Sequence, residues 1–177
     1  MFIDVLKDML EEYELVENTK QNVNDVYNLL ISNEYFIKNT QSENMTIEDC
    51  IEDCIEDIKA VPPGKDLDSK SYVSLYKDNK CICIIDFIVD YPQEKTGYIG
   101  LFILDNDIHG TGLGTSILNQ LTSACIHFGL KRIELGCYKT NEIGFSFWSK
   151  KGFQEIKRTI KDIEGIRTEI INMRKDL

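Results

Sequence analysis

Two stretches carry residue types that do chemistry at short, fixed spacings. The first is Leu104-Asp105-Asn106-Asp107-Ile108-His109-Gly110-Thr111-Gly112-Leu113-Gly114-Thr115. Its glycines let the backbone approach a ligand closely. A helix opening near Gly112 points unpaired N–H groups and a positive dipole end at the same spot. That combination holds phosphate without needing lysine. A Walker A loop needs Lys-Ser/Thr after its second glycine, and none is present. The dinucleotide fingerprint needs a glycine three residues after Gly112, where Thr115 stands, and a βαβ start that this loop lacks.

The second stretch is Asn141-Glu142-Ile143-Gly144-Phe145-Ser146-Phe147-Trp148-Ser149-Lys150-Lys151-Gly152-Phe153. Asn141 opens a helix there. Gly144 follows three residues on, the aromatic Trp148 seven on, and Gly152-Phe153 closes the run.

The elements that must position these stretches are legible from periodicity. Residues 1–12 form a short helical extension, with Phe2, Val5, Leu6, Met9 and Leu10 on one face. Residues 13–16 read as a first strand. Asn22 caps an amphipathic helix that turns Val23, Val26, Tyr27, Leu30 and Ile31 inward. Thr46 with Asp49 opens a second helix to about Ala60, stopped by Pro62-Pro63-Gly64. Strands at 71–77 and 81–89 flank the polar turn Asp78-Asn79, and Tyr91-Pro92 leads to a third at 98–104. A helix over 112–128 directs Ile117, Leu118, Leu121, Ala124 and Cys125 inward and ends at Gly129. Then come a strand at 131–138, a helix at 141–150, a strand at 153–160, a turn over Asp162 to Gly165 and a last strand at 166–173. The step from 98–104 through the helix to 131–138 reads as a parallel crossover. The fold class is α/β, an α+β mixed sheet with helices on both faces.

With that order in place, His109-Gly110-Thr111-Gly112-Leu113-Gly114 resembles the coenzyme A pyrophosphate loop of the GNAT superfamily of N-acetyltransferases, Gln/Arg-x-x-Gly-x-Gly/Ala. The run from Asn141 to Phe153 resembles that superfamily's second motif, and one helix and one strand separate the two as the superfamily requires. The resemblance spans nearly the whole chain. It implies a single N-acetyltransferase domain over 1–177, built on a mostly antiparallel sheet of about six or seven strands. It implies acetyl-CoA as co-substrate, no metal, and an amine acceptor that is a small cationic amine or a protein amine.

The resemblance also implies roles. Strand 98–104 should splay from strand 131–138 and open a slot. Pantetheine would pair there with backbone groups of Ile103 and Leu104, like an added strand. The Leu104 N–H would polarise the thioester carbonyl and stabilise the oxyanion. Residues His109, Gly110, Thr111, Gly112, Leu113, Gly114 and Thr115 would hold the pyrophosphate. Asn141 would cap its helix and contact the pantetheine arm, with Phe147 and Trp148 beside the cofactor. An amine would attack acetyl-CoA directly, with no acyl-enzyme.

Two departures stand out. The second motif's aromatic is usually Tyr, the acid for the leaving thiolate, and here it is Trp148, whose indole is a donor but not a usable proton source. Tyr138 at the end of the opposing strand is the candidate substitute. A thiol of pKa about 8.5 also leaves tolerably without protonation. His109 replaces the permanent cation of the loop. The competing reading that Trp148 motivates is a non-catalytic coenzyme A-binding regulatory module.

Plainer roles compete residue by residue. His109 reads first as a loop residue presenting its backbone, His127 as a helix-end or surface residue, Trp148 as a packing aromatic and Cys137 as a buried thiol. Asp86 and Tyr98 are candidates for the acceptor side, with directions that alternation alone leaves open. Ile47-Glu48-Asp49-Cys50 recurs with a four-residue period through Asp57. Like charges at i,i+4 cost roughly 0.2–0.5 kcal/mol per pair. They read as a solvated face or, more sharply, as an attractor for a cationic amine.

Composition bounds the rest. The chain has 177 residues, 42% hydrophobic and 28% charged, which suits one globular domain. Twenty basic against thirty acidic residues give a net charge of −10, the wrong sign for a nucleic-acid partner. No apolar run approaches a membrane span, and Met1-Phe2-Ile3-Asp4 opens no secretion signal, so a cytoplasmic monomer or homodimer is expected. Without that signal the sequon Asn44-Met45-Thr46 carries no weight. Six cysteines then read as reduced, and neither Cys50/Cys54 nor Cys81/Cys83 has zinc-knuckle spacing.

Overall fold

The structure is a computed structural model that describes residues 1–33, 46–163 and 166–177. Asn44 and Met45 of the sequon, and Glu164 and Gly165 of the expected last turn, lie outside the described residues.

Strands β1 (Glu14–Glu17), β2 (Lys70–Lys77), β3 (Lys80–Val89), β4 (Thr96–Leu104), β5 (Arg132–Tyr138), β6 (Gln154–Ile163) and β7 (Ile166–Asp176) form one sheet in the order β1-β2-β3-β4-β5-β7-β6. All neighbours are antiparallel except β4 and β5. The described helices are α1 (Phe2–Met9), α2 (Val23–Ile31), α3 (Ile47–Lys59), α4 (Leu113–Phe128) and α5 (Glu142–Lys150).

Local chemistry explains most boundaries. The Thr46 hydroxyl accepts from the Asp49 N–H while the Asp49 carboxylate accepts from the Thr46 N–H, a closed capping box at the start of α3. Asp78 and Asn79 both take positive φ, 52° and 61°, as a tight hairpin turn demands. Gly129 ends α4 at φ 96°. Asn22 stands at the start of α2 but caps differently from expectation. Its Oδ1 accepts from the Thr19 N–H, outside the helix.

The core lies on both faces of the sheet. On one face α1 and α4 pack together, and the α4 residues Ile117, Leu118, Leu121, Ala124 and Cys125 are all buried. On the other, α2 and α3 cover Tyr72, Ile84 and Ile103. In α2 the buried stripe is Val23, Val26, Leu29 and Leu30, whereas Ile31 is exposed. This corrects the expectation of an inward Ile31. It is the last helical residue, so no further turn carries its stripe back over the sheet.

None of the six cysteines, all of them among the described residues, is joined in a disulfide. Burial pushes the Cys54, Cys81 and Cys137 thiols up to about 11, so they stay protonated and unreactive near neutral pH.

Candidate active site

The site begins where two strands part. Strands β4 and β5 are paired only from Thr96↔Arg132 to Ile99↔Leu135. Beyond Ile99 and Leu135 they diverge, so the far ends of both strands border a slot in the sheet.

Register decides which groups of β4 face that slot. The Asp105 N–H donates to the Ile82 carbonyl oxygen at 2.9 Å, and Ile84 lies opposite Ile103. Antiparallel pairs alternate between bonded and non-bonded. The peptide groups of Ile103 therefore turn toward β3, while those of Phe102 and Leu104 turn away from it, into the slot. The expectation that Ile103 offers backbone groups to pantetheine is corrected by this alternation. The Phe102 peptide faces the slot instead, and the Ile103 side chain packs under α2 and α3.

A cleft of about 510 Å³ opens along β4, at the ordinary scale of a ligand pocket. Its floor is Phe102, Ile103 and Leu104. One wall is His109, Gly110, Gly112, Gly114 and Thr115, and the other is Asn141, Gly144, Phe147 and Trp148. Thus the two stretches singled out in the sequence face each other across one cleft. Thr111 and Leu113 shape the loop rather than line the cleft. The Thr111 hydroxyl donates to the Ile108 carbonyl at 2.8 Å, and Leu113 packs against the core.

The loop is built to leave donors unused. Gly110 and Gly112 take φ of 76° and 88°, conformations that side-chain-bearing residues rarely adopt, and a Cβ on either would meet open space. The amides of Gly110, Gly112 and Gly114 have no hydrogen-bond partner among the described residues. The first turn of α4 contains no acidic residue. Together these make an anion cradle.

The opposite wall is held by Asn141. Its Oδ1 accepts from the Gly144 N–H at 2.8 Å and caps α5. Gly144 is required by that cap, because a Cβ there would lie within 2.9 Å of three Asn141 side-chain atoms. Trp148 is buried, edge-on to Phe102, Phe147 and Phe153 with ring centroids 5.0–5.6 Å apart. It packs this wall onto β4.

Two side chains converge on one carbonyl at the end of β4. The Leu104 oxygen accepts from Asn33 Nδ2 at 2.9 Å, and His109 Nε2 lies 3.2 Å from it, which places the proton on Nε2. His109 is thus a structural tie within its loop. Asn33, buried just past α2, lines the cleft and was not anticipated. No local pattern marks it. Tyr138 does not line the cleft. It sits on the sheet face of Gly136 and Glu134, two and four residues back, and burial raises its pKa with Asp57 adding to the shift.

The Acetyltransferase (GNAT) family model matches residues 23–153, which spans the cleft and both of its walls. The chain belongs to the GNAT acetyltransferase family. It is an acetyl-CoA-dependent N-acetyltransferase, with acetyl-CoA as co-substrate. No curated protein matches it by sequence. Solved structures share the fold. An acetyltransferase from Thermus thermophilus superposes with TM-score 0.72 at 19% identity, over 93% of this chain and 97% of that one. The PaiA N-acetyltransferase from Thermoplasma acidophilum, solved with coenzyme A, gives 0.63 at 16%, over 93% and 99%. A Salmonella typhimurium acetyltransferase that modifies the N-terminal serine of ribosomal protein L7/L12 gives 0.71 at 16%, over 94% and 95%.

As a GNAT acetyltransferase the chain meets a charge problem, since its net charge of −10 opposes an anionic co-substrate. Lys150 and Lys151 line a shallower depression beside the cleft together with Thr115 and Phe147, and the Lys151 ammonium lies 5.7 Å from the Phe147 ring centre. Among the described residues no helix is long and apolar enough to cross a membrane.

Proposed function

We propose that the chain moves the acetyl group of acetyl-CoA to a primary amine by direct attack within a ternary complex. The observation that carries this is the parting of β4 from β5 beside a loop with unused amides. It supports a thioester lying along β4 with the pyrophosphate at the start of α4.

In this reading the amides of Gly110, Gly112 and Gly114 receive the pyrophosphate, and Lys150 and Lys151 supply positive charge beside it. Pantetheine lies along β4 as an added strand. The slot-facing N–H groups of Phe102 and Leu104 are its donors, and the Leu104 N–H polarises the thioester carbonyl. The Leu104 carbonyl is already taken by Asn33 and His109, so the Phe102 carbonyl is the acceptor left for a pantetheine amide. Asn141 meets the arm from α5, and Trp148 packs that wall. The leaving thiolate departs without a tyrosine, which a thiol of pKa about 8.5 permits. The acceptor in this reading is a small cationic amine or a protein amine.

The test is release of free coenzyme A thiol from acetyl-CoA with a panel of benzylamine, 1,4-diaminobutane and peptides with free N-termini. The reading expects thiol release that depends on at least one amine, with the acetylated amine as product. Acetyl-CoA binding without turnover on any amine would contradict it.

A further inference from the structure

A buried ion pair sits on the α3 face of the sheet, at the apex of the slot. Lys70 Nζ lies 3.2 Å from Asp86 Oδ2, with the two side chains 4% and 17% exposed. Lys70 also donates to the carbonyls of Asp57 and Ala60, at 2.5 and 2.7 Å, which locks it to the end of α3. Among the described residues Asp86 Oδ1 is buried without a partner, as is the hydroxyl of Tyr72 directly across the ladder. A buried ion pair with a spare carboxylate oxygen contributes little stability on its own, and orphaned buried polar atoms call for an explanation.

Position supplies one. Asp86 pairs with Leu101 and Phe87 with Ile99, so Gly100 is the bulged residue of β4. Gly100 is also the first β4 residue past the last pair with β5. A Cβ at Gly100 would stand 2.8 Å from Asp86 Oδ2, so any side chain there would press on the carboxylate. On the other strand Gly136 is likewise the first residue past the pairing, and the Tyr98 hydroxyl lies 3.2 Å from where its Cβ would be. Both strands lack a side chain where they part, and a carboxylate and a phenol flank the gap.

We infer that Asp86, held by Lys70 and reached past Gly100, receives the acceptor amine as its ammonium and accepts its proton. This rests on the acetyl-transfer reading and adds the acceptor's seat to it. Asp86 takes one proton from the ammonium, and the freed lone pair attacks the thioester carbonyl carbon. The C–S bond breaks with its electron pair on sulfur, and a second N–H proton passes to that thiolate. An ammonium and acetyl-CoA thus give an amide, coenzyme A thiol and one proton, which Asp86 releases to solvent.

Burial pushes the Asp86 carboxyl up to about 6, although Lys70 pulls it down. That suits a base working near neutral pH. The groups facing it are Lys70 and Tyr72 from β2 and Asp57 from α3, and β4 presents the uncharged Gly100 and Leu101.

The experiment is kcat and KM against pH for an amine turned over from the panel above. Wild type should show an acidic limb near pH 6. Asp86→Asn should lose about a hundredfold or more in kcat and lose the limb, while keeping the acetyl-CoA-induced rise in Tm. Gly100→Ala leaves both side chains of the ion pair and the loop residues unchanged but sets a methyl against Asp86 Oδ2, and should raise the amine KM about tenfold with the limb retained. Asp86→Asn within about threefold of wild type, or with its limb intact, overturns the proposal. If Asp86→Asn does not fold, an unchanged amine KM in Gly100→Ala overturns it. Wild type that binds acetyl-CoA but turns over no amine overturns the function reading itself, and this inference with it.

Discussion

Asn33 Nδ2 donates to the carbonyl oxygen of Leu104 at 2.9 Å, across 71 residues of chain. The same nitrogen donates to the Leu29 carbonyl at 3.0 Å, so one amide ties the end of α2 to the end of β4. Leu104 is where the slot meets the glycine loop. Its carbonyl is fixed from one side by α2 and from the other by His109.

That tie predicts a positioning role for Asn33. Asn33→Ala removes the donor and leaves the half-buried Leu104 carbonyl to His109 alone, at a cost of about 0.5–1.5 kcal/mol in stability. At a temperature where the variant is folded, the KM for acetyl-CoA should rise several-fold and the amine KM should stay put. Steady-state kinetics with each substrate varied in turn decides it, and equal effects on both KM values would reduce Asn33 to a packing residue.

Gly112→Asp places a side chain and a negative charge at the mouth of the loop, in a backbone conformation disfavoured for aspartate. The rise in Tm that acetyl-CoA gives the wild type should vanish in this variant. A rise of unchanged size would remove the pyrophosphate from the loop.

Trp148→Phe should preserve most of the turnover per bound coenzyme A, because the indole's contacts are with Phe102, Phe147 and Phe153. Trp148→Ala should cost about 3–5 kcal/mol of stability through the cavity it leaves. Chemical denaturation and single-turnover rates separate the two effects. A hundredfold fall in the chemical step of Trp148→Phe at saturating acetyl-CoA would give the indole a direct part.

The acidic face of α3 predicts salt-dependent discrimination. Glu52 and Glu56 are exposed. Their field acts on encounter and is screened beyond roughly 8–10 Å at physiological ionic strength. Replacing both with Gln should raise KM for 1,4-diaminobutane more than for a neutral-tailed amine, and the difference should shrink as salt is added, with kcat nearly constant. Equal salt slopes for the two amines would make this an ordinary solvated face.

Stability should respond to Asp86. Its folded pKa, raised to about 6 by burial, lies above the unfolded carboxylate value of about 3.9. The protonated form is therefore favoured in the folded state, and that stabilisation is complete below about pH 4 and lost as pH rises through 6. From pH 7 to pH 5, the wild type should gain stability relative to Asp86→Asn. Urea unfolding of both at the two pH values reads this directly, and parallel curves would refute the shift.

Much of this was legible because it is local. The glycine loop, the Asn141 cap with its Gly144 partner, the Thr46/Asp49 box and the inward face of α4 each depend on residues within one or two turns. Asn33 was not legible, since its importance comes from a contact 71 residues away. The direction of Asp86 was not legible either. It depends on the ladder register and on the bulge at Gly100, which a single strand's alternation does not contain. The same register moved the slot-facing peptide from Ile103 to Phe102.

Direct attack is the central claim, and a two-substrate initial-velocity study tests it most directly. Rates of thiol release are measured over a grid of acetyl-CoA and amine concentrations. Transfer within a ternary complex predicts double-reciprocal lines that intersect, and a protein that gains no acetyl group on incubation with acetyl-CoA alone. Parallel lines together with an acetylated protein would contradict it, and would move the chemistry to a nucleophile on the chain itself.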